Sequence, residues 1–95
     1  MVDGTQTVAH QRVNLDALQA DFFVCSAHKM FGPTGIGILY GKRAHFEAMQ
    51  PYQVGGGMIE TVSIQKSALC KPPQRFEAGT PNIAGIAGLS ACLDF

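Results

Sequence analysis

The sequence predicts an α/β fold built on a mixed sheet, from three observations. Phe22–Ser26 and Gly35–Tyr40 are continuous apolar runs of strand length. Segments with helical spacing flank them, at 13–20 and 42–50. Only eight residues, 27–34, connect the two runs. That is too short for a crossover containing a helix, so the two strands are expected to be antiparallel neighbours.

In chain order, Met1-Val2-Asp3-Gly4 reads as the end of a strand. Residues 13–20 follow as a helix, with Asn14 as its N-cap. The Phe22–Ser26 run is expected to be buried on both faces, as strands of parallel sheets are. Gly32-Pro33 marks the turn before the second run. Lys42 to Gln50 has good helix formers and stops before Pro51. Gly55-Gly56-Gly57 reads as a flexible break, and the alternation over Met58–Ile64 as a strand. Residues 66–75, with Pro72-Pro73, read as an irregular loop. Pro81 to Phe95 is expected to be a helix, with Thr80 as N-cap and Pro81 at its first position. Small residues at 84, 85, 87, 88 and 91 suggest that this helix packs closely on another element.

Composition narrows the function classes. With 46% apolar and 15% charged residues the chain is globular rather than disordered. Seven basic and seven acidic residues cancel, leaving no electrostatic footprint for nucleic acid or an anionic membrane. No apolar run approaches the roughly 20 residues that span a bilayer, and the N-terminus lacks the basic-then-apolar pattern of a signal peptide. A soluble, cytoplasmic protein is expected. Cys25, Cys70 and Cys92 are odd in number and widely spaced, which suits reduced thiols better than a disulfide framework. The chain opens on a strand end and stops at Leu93-Asp94-Phe95 inside a helical pattern, so it is expected to be a piece of a longer protein.

The block Ser26-Ala27-His28-Lys29-Met30-Phe31-Gly32-Pro33-Thr34-Gly35-Ile36-Gly37 carries the chemistry. It sets one lysine between a buried-looking strand and a glycine-rich turn, just after a hydroxyl and an imidazole. A lysine at the end of a buried strand is costly to desolvate unless paired or neutralised. One use for such an amine is a Schiff base with a carbonyl cofactor, above all pyridoxal phosphate. Competing motifs fail. The block lacks the Gly-Lys-Ser/Thr ending of a P-loop, and no Gly-x-Gly-x-x-Gly occurs. Cys25 and His28 have ligand-like spacing, but no second pair completes a zinc site, so no metal is expected.

Three blocks together, Val2-Asp3-Gly4-Thr5-Gln6, the lysine block, and Phe76-Glu77-Ala78-Gly79-Thr80-Pro81-Asn82, resemble the class V aminotransferase family. Within it the likeness is to the Suf-type cysteine desulfurase and selenocysteine lyase group, favoured by Thr34 and by Gly55-Gly56-Gly57-Met58-Ile59. The resemblance covers essentially all of residues 1–95. It implies the central part of the large pyridoxal phosphate-binding domain of a fold type I enzyme, with a mixed, mostly parallel sheet flanked by helices and incomplete at both ends.

The resemblance also assigns roles. Lys29 would hold the cofactor and shuttle protons at the substrate carbon; an exposed lysine at a strand end is the bland alternative. Asp3 would pair with the pyridine nitrogen, although an Asp-Gly turn is an ordinary use of that dipeptide. Gln6 resembles the residue that hydrogen-bonds the ring's phenolic oxygen, against a merely solvated amide. Ser26 and His28 resemble phosphate ligands, projecting to one side as alternate residues of an extended strand end while Ala27 points away. Thr80 matches the threonine that reaches the phosphate bound by the neighbouring subunit, which implies a homodimer; an ordinary N-cap is compatible with that role. His10 and His45 lack comparable context and read as surface residues.

The implied reaction converts L-cysteine to L-alanine and passes sulfur to an enzyme persulfide, then to an acceptor protein for iron–sulfur cluster assembly. L-selenocysteine, or the substrate of another class V aminotransferase, is the alternative. In the family the nucleophilic cysteine and the arginine that grips the substrate carboxylate lie beyond the last block, and none of the three cysteines occupies a matching position. A second hypothesis follows. The 95 residues alone would be non-catalytic, with apolar surface left uncovered.

Overall fold

The computed structural model describes residues 1–95. In chain order the elements are β1 (Val2–Asp3), α1 (Leu15–Leu18), β2 (Phe22–Ser26), β3 (Gly37–Gly41), α2 (Arg43–Ala48), β4 (Ile59–Val62), β5 (Ser67–Leu69) and α3 (Ile83–Asp94). Short 3₁₀ turns lie at Ala27–Met30 and Gln74–Phe76. The chain divides into two units, one combining Met1–Lys42 with Asn82–Phe95, the other formed by Arg43–Pro81.

The first unit is organised around β2, the central strand of a sheet in the order β1–β2–β3. β1 runs parallel to β2, with Val2 opposite Phe23 and Asp3 opposite Val24. Gly4 extends the pairing by donating its N–H to the Val24 carbonyl at 2.8 Å. β3 is antiparallel to β2, in a register running from Phe22 opposite Gly41 to Ser26 opposite Gly37. The short connection therefore has the predicted consequence, and the sheet is mixed. Burial along β2 alternates, with Phe23 and Cys25 buried and Phe22, Val24 and Ser26 half-buried. The expectation of two fully buried faces is corrected to one. A short apolar run does not distinguish the two cases, because solvent cover is set by what packs on each face.

Asn14 caps α1 as expected, its Oδ1 accepting the Ala17 N–H at 3.0 Å. The helix ends at Gln19, whose left-handed backbone (φ 53°) closes it just short of the expected end at residue 20. A larger correction follows β2. The strand does not extend through His28: at Ala27 the chain enters the 3₁₀ turn, closed by Phe31 at φ 63°. At α3 the cap is Asn82 rather than Thr80. Its Oδ1 accepts the Gly85 N–H at 3.0 Å, leaving Thr80 and Pro81 outside the helix. Asn caps at least as well as Thr, and with Asn in place Pro81 precedes the cap instead of opening the helix.

In the second unit α2 lies within the predicted 42–50 segment and β4 within 58–64. The reading of 66–75 as irregular is overturned, because β5 pairs antiparallel with β4 and Gln74–Phe76 forms a 3₁₀ turn. The hairpin is closed by side chain as well as backbone. Ser63 Oγ donates to the Lys66 carbonyl at 2.9 Å and accepts the Lys66 N–H at 3.0 Å. Ile64-Gln65 at the tip carries none of the Gly or Asn signals that mark such turns. Met58 is fully buried, and its carbonyl accepts the Cys70 N–H at 2.7 Å. The triple glycine is a seat. Gly79 donates its N–H to the Gly56 carbonyl at 2.8 Å, and a Cβ at Gly55 would press on Ala78 at 3.3 Å. No helix is long and apolar enough to cross a membrane.

The close approach of β1 to β2 yields a prediction. A Cβ at Gly4 would overlap the buried ring of Phe23. Gly4→Ala is expected to cost about 1–3 kcal/mol, the usual range for overpacking, seen as a lower urea midpoint with an unchanged slope.

Candidate functional site

Because β1 and β2 are parallel, their carboxyl ends emerge at one edge of the sheet. Asp3 ends β1, Ser26 ends β2, and His28 and Lys29 follow within the 3₁₀ turn. The crevice beyond the carboxyl ends of parallel strands is where open α/β sheets take their ligands. Four of the six predicted site residues thus gather there, and Gln6 lies three residues past Asp3.

The Asp3 carboxylate is oriented locally. Its Oδ1 accepts the Thr5 N–H at 2.9 Å. Hydrogen bonds from the Thr5 side chain and then its backbone hold the carboxyl below its ordinary 3.8, with a small opposing effect of desolvation. Both readings of Asp-Gly hold together, since the side chain closes a turn while remaining exposed and ionised. Thr5 was not singled out from sequence, yet Asp-x-Thr is a recognisable side-chain turn pattern. Gln6 is exposed.

Ser26 and His28 do meet, for a different reason from the one expected. Ser26 Oγ lies 2.7 Å from His28 Nδ1 because the 3₁₀ turn folds the imidazole back over the strand end. The pairing fixes what it can offer an anion. If Ser26 donates to Nδ1, the Nε2–H is the outward donor; if Nδ1–H donates to Ser26, the hydroxyl is. A neutral pair therefore presents one outward proton, and a protonated imidazole raises this to two.

Lys29 corrects a premise of the sequence reading. It is exposed, and it sits on the turn rather than at the end of a buried strand. Cys25, four residues earlier, is buried. Burial pushes its thiol above the ordinary 9.0, against a lowering hydrogen bond to the Ile38 backbone and with a smaller upward push from the Asp3 charge. That is the setting of an inert thiol, as expected. Thr80 lies in the second unit, exposed and ahead of the α3 cap, so the helix-terminus argument for its anion contact does not hold. His10 and His45 are exposed.

Residues 1–95 match the family described as Aminotransferase class-V. The chain belongs to the class-V aminotransferase family. It is 51% identical to a cysteine desulfurase of Serratia proteamaculans and 54% identical to one of Yersinia pestis, each over 100% of this chain and 24% of the relative. Among solved structures it is similar to the cysteine desulfurase CsdA (S-sulfonic acid) from Escherichia coli, with a TM-score of 0.92 and 48% identity over 99% of this chain. The apo cysteine desulfurase from Thermococcus onnurineus NA1 gives 0.90 and 47% over 98%. The chain spans about a quarter of the length of each (24%). Class-V aminotransferases and cysteine desulfurases are pyridoxal phosphate enzymes. The donor set at this class-V edge suits that cofactor: an accessible amine for an aldehyde, an ionised carboxylate for a cationic ring nitrogen, and a hydroxyl–imidazole pair for a phosphate.

Two measurements test this geometry. Ionised Asp3 favours the folded state above 3.8, and that contribution fades as pH falls through its lower folded value. Thr5→Val is expected to move the Asp3 midpoint up toward 3.8, read from its carboxyl carbon by NMR titration. In timed iodoacetamide labelling at pH 8, Cys25 should be modified last, after the half-buried Cys70 and Cys92.

Proposed function

We propose that this chain supplies the cofactor-holding edge of a pyridoxal phosphate-dependent cysteine desulfurase, which removes sulfur from L-cysteine and leaves L-alanine. The observation that carries this reading is the gathering of Asp3, Ser26, His28 and Lys29 at one carboxyl edge, in a chain about half identical to named cysteine desulfurases (51% and 54%). The further parts of the reading are a homodimer, a sulfur-acceptor protein for iron–sulfur cluster assembly, and a cytoplasmic setting consistent with three free thiols.

When bound, the cofactor supplies an electron sink for the substrate's α-carbon. The residues of this chain do the rest. Lys29 is the amine that would hold the cofactor's aldehyde, and its Nζ would carry a proton to and from the substrate α-carbon. The Asp3 carboxylate, ionised across the neutral range, would pair with the protonated ring nitrogen. The Ser26–His28 pair would offer its outward donor to the phosphate. Gln6 would hydrogen-bond the ring's phenolic oxygen, and Thr80 would serve the phosphate held by the neighbouring subunit. Sulfur abstraction requires a thiolate nucleophile, and buried Cys25 is unsuited to that part.

Lys29→Ala decides the reading. In a full-length enzyme that carries this segment, the variant should lose the visible absorption band of covalently held cofactor and release alanine from cysteine at least about 100-fold more slowly, the range for a lost general acid–base group. Retention of the band would overturn it.

A further inference from the structure

One face of α3 meets the segment that immediately follows Lys29, at three points. Cys92 Sγ donates to the Met30 carbonyl at 2.6 Å. A Cβ at Gly88 would come within 3.0 Å of Pro33 Cγ, so the absence of a side chain there lets helix and turn approach. The rings of Phe95 and Phe31 meet edge to face, with centroids 6.0 Å apart. Positions 88, 92 and 95 follow the i, i+4, i+7 spacing of one helical face. Their partners all fall within residues 30–33.

The contact with Met30 has a specific cause. Continuing the 3₁₀ turn would give the Met30 carbonyl to the N–H of residue 33, but that residue is Pro33 and has no N–H. The Cys92 thiol supplies the missing donor from another element. At the other end of the turn, the Ala27 N–H is held by the Ile36 carbonyl at 3.1 Å, and the Ala27 carbonyl accepts the Gly32 N–H at 3.0 Å. The turn is thus tied to Ile36, just ahead of β3, before Lys29 and to α3 after it. The lysine amine itself is exposed, so its place depends on the two ends of the turn.

We propose that Cys92 and Gly88 are positioning residues for Lys29, holding the 3₁₀ turn so that its amine faces the carboxyl edge of the sheet. The inference rests on the reading of Lys29 as the residue that holds the cofactor, and its test separates the two. Cys92→Val keeps the volume and removes the donor, Cys92→Ser restores a donor, and Gly88→Ala presses on Pro33. Losing one neutral hydrogen bond of ordinary strength corresponds to about a five-fold change in an equilibrium. Cys92→Val should therefore release cofactor about five-fold faster and shift the pH midpoint of the bound-cofactor band. It should also speed amide hydrogen exchange at Phe31 and Gly32 by a similar factor. Gly88→Ala should speed exchange at Gly32, while Cys92→Ser should stay near the parent in all three readouts.

The proposal is overturned if Cys92→Val matches the parent throughout, or if Cys92→Ser is as impaired as Cys92→Val. With Lys29→Ala losing the band, either result removes only the positioning role. If Lys29→Ala keeps the band, the cofactor reading fails instead, and the exchange data alone report on the turn.

Discussion

The parallel pairing of Val2–Asp3 with β2 is the constraint on which the candidate site depends. An antiparallel partner would carry its last residue to the opposite edge of the sheet, so no carboxylate at that position would face the lysine turn. Only two residues make the pairing, and Gly4 extends it with one further hydrogen bond. Its accuracy therefore rests on contact across the strands. The Phe23 ring occupies the space that a side chain at Gly4 would need. A single atom's width at Gly4 is thus coupled to the location of a charge at Asp3.

The chemistry that results comes from short-range pairing rather than from a buried polar centre. Asp3 is held by Thr5, two residues away, which lowers its carboxyl pKa, and Ser26 is paired to His28 across one residue. Neither arrangement needs a low-dielectric interior, and the buried residues near them are the apolar Phe23 and Ala27 and the unreactive thiol of Cys25. The edge is therefore accessible to a ligand and already ordered in its donors, which reduces the entropy a bound group must overcome.

Much of this was legible in the residue order, and the failures have identifiable causes. The strand at 22–26, its antiparallel neighbour and the Asn14 cap were readable because apolar runs, a short connection and a capping side chain are local signals. The lysine block was readable as chemistry, while the geometry behind it was not. Ser26 and His28 were expected to align along an extended strand, and a 3₁₀ turn brings them together instead. Whether Lys29 is buried depends on what packs around the turn, which no window of sequence encodes. β5 was missed because three strand residues followed by two prolines give a weak pattern, and its hairpin closes through the Ser63 side chain. Thr80 lost its capping role to Asn82, two residues on, in a stretch where both residue types are good caps.

The discontinuity of the first unit bears on the order in which the molecule is built. The hairpin of β2 and β3 closes a short loop between Ser26 and Gly37, a separation of eleven residues by their numbers. The thiol bond from Cys92 to Met30 spans 62. Closing the longer loop costs about 1.5 kcal/mol more in chain entropy, at roughly 0.6 kcal/mol per doubling of length. Nearly the whole segment must also have been synthesised before Cys92 can reach Met30. The sheet edge can thus assemble while the chain is still growing, whereas the turn bearing Lys29 is locked only when α3 arrives. A nascent chain would carry its carboxylate in place before its amine.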